Sequence, residues 1–165
     1  MKRFWQEHQA GAVIVFILRL YLGYAWLMAG LEKVSGFDAT GFLKHALTLT
    51  SGDHPAVQGW WAAFLEHVAL PAVPLINVLI PIGEILVGLG LMLGGLTLTA
   101  AFFGMVMNFS FLLSGTVSTN PQMIILALLI MLAADNAGRI GLDRWIRPYL
   151  KKFFQQKKHA SGISA

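Results

Sequence analysis

The chain has 165 residues, of which 56% are hydrophobic and 12% charged, and its mean hydropathy of +0.66 excludes an ordinary soluble domain. The absence of cysteine excludes intrachain disulfides, thiolate metal sites and dithiol redox chemistry. A net charge of +4 does not point to nucleic acid, because the basic residues gather at the two ends of a hydrophobic chain. The length suits about four spanning helices in a single membrane domain over residues 1–165.

After the polar head MKRFWQEHQ, an apolar run broken only by Arg19 predicts a first span over residues 11–31. It is longer than a signal-peptide core and ends in LEKVSGF without a small-residue cleavage pattern, so it reads as a retained helix. Gly23 and Gly30 suggest close packing on a neighbour. Residues 32–74 form a mixed outer loop. Within it Phe42, Leu43, Ala46 and Leu47 make one amphipathic face, and Val57, Trp60, Trp61, Phe64, Leu65 and Val68 make another. Two short helices lying at the membrane interface are predicted there.

The second span, over residues 75–95, reads LINVLIPIGEILVGLGLMLGG and holds one carboxylate, Glu84, near its middle. An ionisable group at that depth costs roughly 2.5 to 3.5 kcal/mol on insertion scales, so it requires a partner. Asn77, Pro81 and Glu84 share a helix face and predict a polar seam, and Gly90 and Gly94 have the GxxxG spacing of a helix contact. A third span is predicted over 96–114, with Asn108 as its one strongly polar interior residue. A fourth, over 120–137, opens at Asn120 and Pro121 with a side-chain cap. Asp135, Asn136, Arg139 and Asp143 are expected to cap and solvate its far end. The tail, residues 138–165, interleaves Arg144, Arg147, Lys151, Lys152, Lys157 and Lys158 with Trp145, Tyr149, Phe153 and Phe154, a basic amphipathic pattern suited to anionic lipid.

Lys and Arg concentrate in the head and tail, so both termini are expected to be cytoplasmic in a multi-pass protein of the cell membrane. Counting depth from the span ends brings Arg19 and Glu84 within about a turn of each other. Two readings of that ion pair stand side by side. It fixes helix packing, or with Asn108 and Asn77 it lines a pocket for the head of a lipid-soluble molecule. His45, His54 and His67 match no metal spacing and read as solvated loop residues, and no metal site is expected. The open backbone donors at the STNP helix start are a candidate cradle for an anion.

The segments LRLYLGYAWLMAGLEKVSGF, IGEILVGLGLMLGGLTLTAAFFGMVMNFSFLLSG and STNPQMIILALLIMLAADNAGRIGLDRW resemble the DoxX family, including its DoxD branch, the small membrane subunit of thiosulfate:quinone oxidoreductase. The resemblance implies an all-α, integral membrane four-helix bundle tied to quinone-linked oxidoreductase systems, acting on thiosulfate or related sulfur compounds, or in quinone and thiol stress. Arg19, Glu32, Lys33, Glu84, Asn108 and Asn120 stand at its matching positions. Arg19 and Glu84 are the catalytic candidates, and Asn108, Asn77, Glu32, Lys33 and Asn120 the ligand-binding ones. No covalently held cofactor is expected, while a quinone is, together with a second oxidoreductase subunit or a homo-oligomer. A noncatalytic anchor for a redox partner and a small-molecule or proton transporter are the competing functions.

Overall fold

The structure, a computed structural model, describes the backbone of residues 2–160, and the side chains in that range apart from residues 2, 3, 151 and 153–160. It is all helical among the described residues. Helix α1 (Lys2–Glu7) turns at His8 into α2 (Gln9–Lys33). The loop carries α3 (Ala39–Thr48) and α4 (Gly59–Phe64), the latter running on as a π-helical turn over Leu65–Ala69. Then come α5 (Val73–Leu93), α6 (Thr97–Leu113), α7 (Asn120–Leu132), a 3₁₀ segment (Ala134–Gly138) and α8 (Asp143–Ala160). Of the charged tail and head named above, the side chains of Lys2, Arg3, Lys151, Phe153, Phe154, Lys157 and Lys158 lie outside the described residues.

Helices α2 and α5 are long and apolar enough to cross a membrane, whereas α6 and α7 are shorter apolar helices. The second, third and fourth apolar runs thus form helices where the sequence places them, but the fourth ends at Leu132 rather than at 137. Ala134 adopts a left-handed conformation, φ 47°, which an α-helix cannot incorporate, and the chain continues as a 3₁₀ turn.

Helix α2 packs most extensively on α5 and also on α7, and α6 packs on both α5 and α7. Their shared core includes Val15, Leu22, Trp26, Val87, Leu91, Ala101, Ala127 and Ile130. At its glycines the α2–α5 contact brings backbone against backbone. A Cβ on Gly88 would lie 2.6 Å from the Leu27 nitrogen and 2.8 Å from the Gly23 carbonyl oxygen, and Gly30 faces Pro81 and Ile85 in the same way. The predicted Gly90 to Gly94 contact motif does not serve this role, because Gly90 meets Ala100 of α6 and Gly94 ends α5 in the left-handed region at φ 65°.

A second core, built from Ala39, Leu43, Ala46, Val57, Leu65, Ala69 and Val73, seats the loop helices over one end of the molecule, the loop end. Asp38 caps α3 by accepting from the Thr40 N–H at 3.0 Å and its hydroxyl at 2.7 Å, and that N–H holds the Asp38 carboxyl below the usual carboxylate range. Trp60 is exposed, as an interfacial tryptophan would be, but Trp61 is tied inward by donating to Ser114 Oγ at 2.9 Å.

Because Gly88 has backbone on both sides, Gly88→Ala is expected to lower thermal stability in detergent by about 1–3 kcal/mol. Gly36→Ala, with open space around it, is expected to melt as the parent does.

Candidate functional site

The glycine contacts set the register between α2 and α5, and with it the depth of every polar group. Gly23 lies opposite Gly88 and Met92, and Gly30 opposite Pro81 and Ile85. In that register Arg19 comes level with Gly94 and Glu84 with Ala29, about 15 Å apart along α2 at the helical rise. The predicted Arg19–Glu84 pair is therefore not formed. The depth count takes the outer ends of the two apolar runs as level, whereas the loop-end segment of α5, from Val73, reaches beyond Lys33 at the end of α2.

At the other end of the molecule, the terminal end, Arg19 is 1% exposed and its guanidinium is surrounded by backbone carbonyls. Nε donates to Leu91 at 3.0 Å, Nη1 to Ala137 at 2.7 Å and Nη2 to Ile140 at 2.9 Å. The carbonyls belong to the last turn of α5, the 3₁₀ segment and the link to α8. Gly94 is a glycine for two reasons here: its φ is left-handed, and a Cβ would lie 2.6 Å from Arg19 Nη2. Gly141 stacks on Gly94, and the Leu142 and Asp143 N–H groups donate to the carbonyls of Leu93 and Gly94 at 3.1 and 2.7 Å.

Asp143 does not cap the end of helix four as expected. Its carboxylate reaches across to α6 and accepts from the N–H groups of Leu96 at 2.6 Å and Thr97 at 3.0 Å. It thereby caps a helix 46 residues away in sequence and holds Leu96 in its left-handed conformation. Asn136 is buried and ties down the head of the chain by donating to the carbonyls of Trp5 and His8 at 3.0 and 3.1 Å. Asp135 remains at the surface, paired with Arg147 at 2.8 Å.

Towards the loop end, Glu84 is paired with Lys33, the last residue of α2. Lys33 Nζ folds back one turn, donating to the Ala29 carbonyl at 3.1 Å and to Glu84 Oε2 at 2.9 Å. The Glu84 side chain is 2% exposed and that of Lys33 28%, so the pair links the interior to the loop end. Asn108 of α6 comes to the same level. Ala100 lies beside Gly90, Gly104 beside Val87 and Trp26, and Met107 beside Gly83, which sets Asn108 opposite Gly83 and Glu84, one turn beyond Gly104 on the same helix face. Asn108 is fully buried, and neither its amide nitrogen nor its oxygen has a hydrogen-bond partner among the described residues.

The other candidates lie elsewhere. Asn77 is half-buried and caps α3, its Oδ1 accepting from the Ala39 N–H at 2.9 Å, so it leaves the interior seam. Glu32 is exposed beside Lys33 and does not join Glu84. Asn120 does not cap its helix by accepting a bond. It donates instead to the Thr116 carbonyl at 2.9 Å. His45, His54 and His67 are exposed, and no group of three or more His, Asp or Glu suited to a metal ion occurs among the described residues.

Two long apolar helices, two shorter apolar ones packed against them and a Lys33–Glu84 pair held between α2 and α5 are features of a helical membrane protein. The chain belongs to the DoxX family: the family model, DoxX, matches residues 14–116, a stretch holding Arg19, Lys33, Glu84 and Asn108. No curated protein and no solved structure matches it.

Lys33 as the partner of Glu84, and Asp143 as a remote cap, were not read from the sequence. Facing Gly23 against Gly88 would have set the register and so found Lys33. No local pattern marks a cap offered from a separate element.

Since Arg19 satisfies carbonyls from separate segments, Arg19→Lys, which cannot reach them all, is expected to cost on the order of 3 kcal/mol in unfolding free energy. An unchanged thermal midpoint in detergent would refute the clamp.

Proposed function

We propose that this DoxX-family protein is the membrane subunit of a quinone-linked oxidoreductase system. In this reading α2, α5, α6 and α7 form a four-helix membrane bundle, with both termini cytoplasmic and the loop helices on the outer face. Glu84, Lys33 and Asn108 hold the polar head of a quinone between the helices. Arg19 sits a membrane half away from that site and acts in positioning, by fixing the helices that carry it.

The observation that carries the proposal is the Asn108 amide, buried without a partner at the level of a buried ion pair. An unpaired polar group costs about 1–3 kcal/mol, and apolar replacement is open to evolution wherever packing alone is at stake. The residues fit a quinone head: the Asn108 amide and the Lys33 ammonium offer donors to its oxygens, and the Asn108 carbonyl and Glu84 offer acceptors to a quinol hydroxyl. A bound quinone supplies two-electron, two-proton chemistry. Glu84 is the residue placed to take up or release a proton, and Lys33, partly exposed, connects it to the loop end. Sulfur compounds remain the expected source of electrons, delivered through a second subunit.

Wild-type protein in nanodiscs is expected to bind a ubiquinone or menaquinone analogue saturably. Glu84→Gln and Asn108→Leu are each expected to raise Kd by about tenfold or more. Asn108→Leu is also expected to melt higher than the parent without ligand, by up to about 1–3 kcal/mol, because the unpaired amide is gone. A wild type without saturable quinone binding sinks the proposal. Co-purification of a redox partner that survives Glu84→Gln would then favour the anchor, and flux in proteoliposomes the transporter.

A further inference from the structure

Apart from Arg19, the terminal end carries arginines that the clamp does not use. Arg144, in the first turn of α8, is exposed and lies with its guanidinium 4.8 Å from the centre of the Trp145 ring. Arg139, also exposed, is anchored through Nη1 to the Glu7 carbonyl at 2.9 Å and the Asn136 side chain at 3.3 Å. The two line a cleft of about 480 Å³ together with Gln9, Ala12, Val13 and Ile140. A second cleft of about 330 Å³, on the side of Arg147, shares both arginines. A third, of about 250 Å³, places Arg144 with Trp145, Tyr149 and Lys152.

The residues lining the arginine cleft include no carboxylate, and Asp135 and Asp143, which line the second cleft, are engaged with Arg147 and with the N–H groups of Leu96 and Thr97. The arginine cleft is thus cationic at its mouth. Its wall is apolar, formed by Ala12, Val13 and Ile140. From Val13 an exposed apolar stripe continues along α2 through Ile17, Leu20 and Tyr24, at helical spacing.

We infer that Arg139 and Arg144 bind the phosphate of an anionic glycerophospholipid whose acyl chain lies along the Val13, Ile17 and Leu20 stripe of α2. A cationic mouth at the start of a membrane-spanning helix, joined to an apolar gutter on that helix, matches an amphiphile with a negative head. Free phosphate would fill the mouth and leave the stripe unused. Trp145 and Tyr149, 57% and 75% exposed, are the aromatic residues suited to the headgroup layer beside it. The site is separate from Glu84 and does not rest on quinone binding.

Native mass spectrometry of the full chain, released from vesicles of phosphatidylglycerol and phosphatidylcholine, tests this directly. The parent is expected to retain phosphatidylglycerol preferentially. Arg144→Gln is expected to lose that retention by about fivefold, the contribution of one basic group beside an anionic lipid. Lys44→Gln, at the opposite end, is expected to keep it. Ile17→Gln leaves both arginines and the net charge in place and is expected to weaken retention as well, which separates the gutter from the charge. Equal retention by Arg144→Gln and the parent overturns the inference. So does displacement of the lipid by millimolar inorganic phosphate, which would mark a site for the free anion.

Discussion

The interaction on which the rest of this structure depends is the set of bonds from Arg19 to the carbonyls of Leu91, Ala137 and Ile140. In a bilayer the backbone must satisfy its polar groups within the protein, and irregular backbone at membrane depth survives only where it is buried and paired. Helix α7 has 13 residues and gives way to a 3₁₀ segment whose Asn136, Ala137 and Gly138 are buried. An ordinary helix end there would leave carbonyls in an apolar layer. Arg19 supplies the missing donors from a neighbouring helix, with a rigid planar group that can serve several acceptors at once. Gly94 leaves room for it, Gly141 lets the link to α8 lie against Gly94, and Asp143 adds a countercharge while capping α6. One buried arginine thus joins the ends of α5 and α7, the start of α6 and the approach to α8.

Set beside that clamp, the Glu84 region is of a different kind. Around Arg19 the donors are matched by carbonyls, which is how a buried polar group behaves when its task is to hold structure. Around Glu84 the ion pair is matched by Lys33, but the Asn108 amide at the same level is not. Both regions share α2 and α5, so the contrast arises within one pair of packed helices. It separates a polar group that completes the architecture from one retained despite its cost, and the second is where a ligand gains most from hydrogen bonding.

Much of the architecture was legible from residue types and run lengths. The long apolar runs end within a few residues of where α2 and α5 end, because hydrophobic length and helical rise are a robust pair. The first amphipathic group in the loop corresponds to α3, where Leu43 and Ala46 are buried, while of the second, which leads into α4 and its π turn, Val57 and Leu65 are buried and Trp60, Phe64 and Val68 are exposed. What depended on the relation between helices was harder. The choice of Arg19 for Glu84 counts depth from the ends of the apolar runs, when backbone contact at Gly23, Gly30 and Gly88 sets it. Ala134 in a left-handed conformation carries no glycine or asparagine to announce it, so the early end of α7 had no local sign.

The register that separates Arg19 from Glu84 also assigns the two ends of the molecule different characters. Sliding α2 against α5 by one turn would move the guanidinium away from Leu91 and Gly94 and the Lys33 ammonium away from Glu84 together, since both side chains project from the same helix. Gly88 blocks such a shift, because Leu27 and Gly23 backbone atoms already touch it on either side. Lys33 spans the remaining distance by folding its flexible stem back over Ala29, whereas Arg19 is caged and has no such freedom. A change of conformation at Glu84 therefore needs only the rotation of a half-exposed lysine, while the same change at Arg19 would break bonds to segments on either side of α6. The freer side chain of the two thus lies at the loop end, and the caged one at the end where the termini meet.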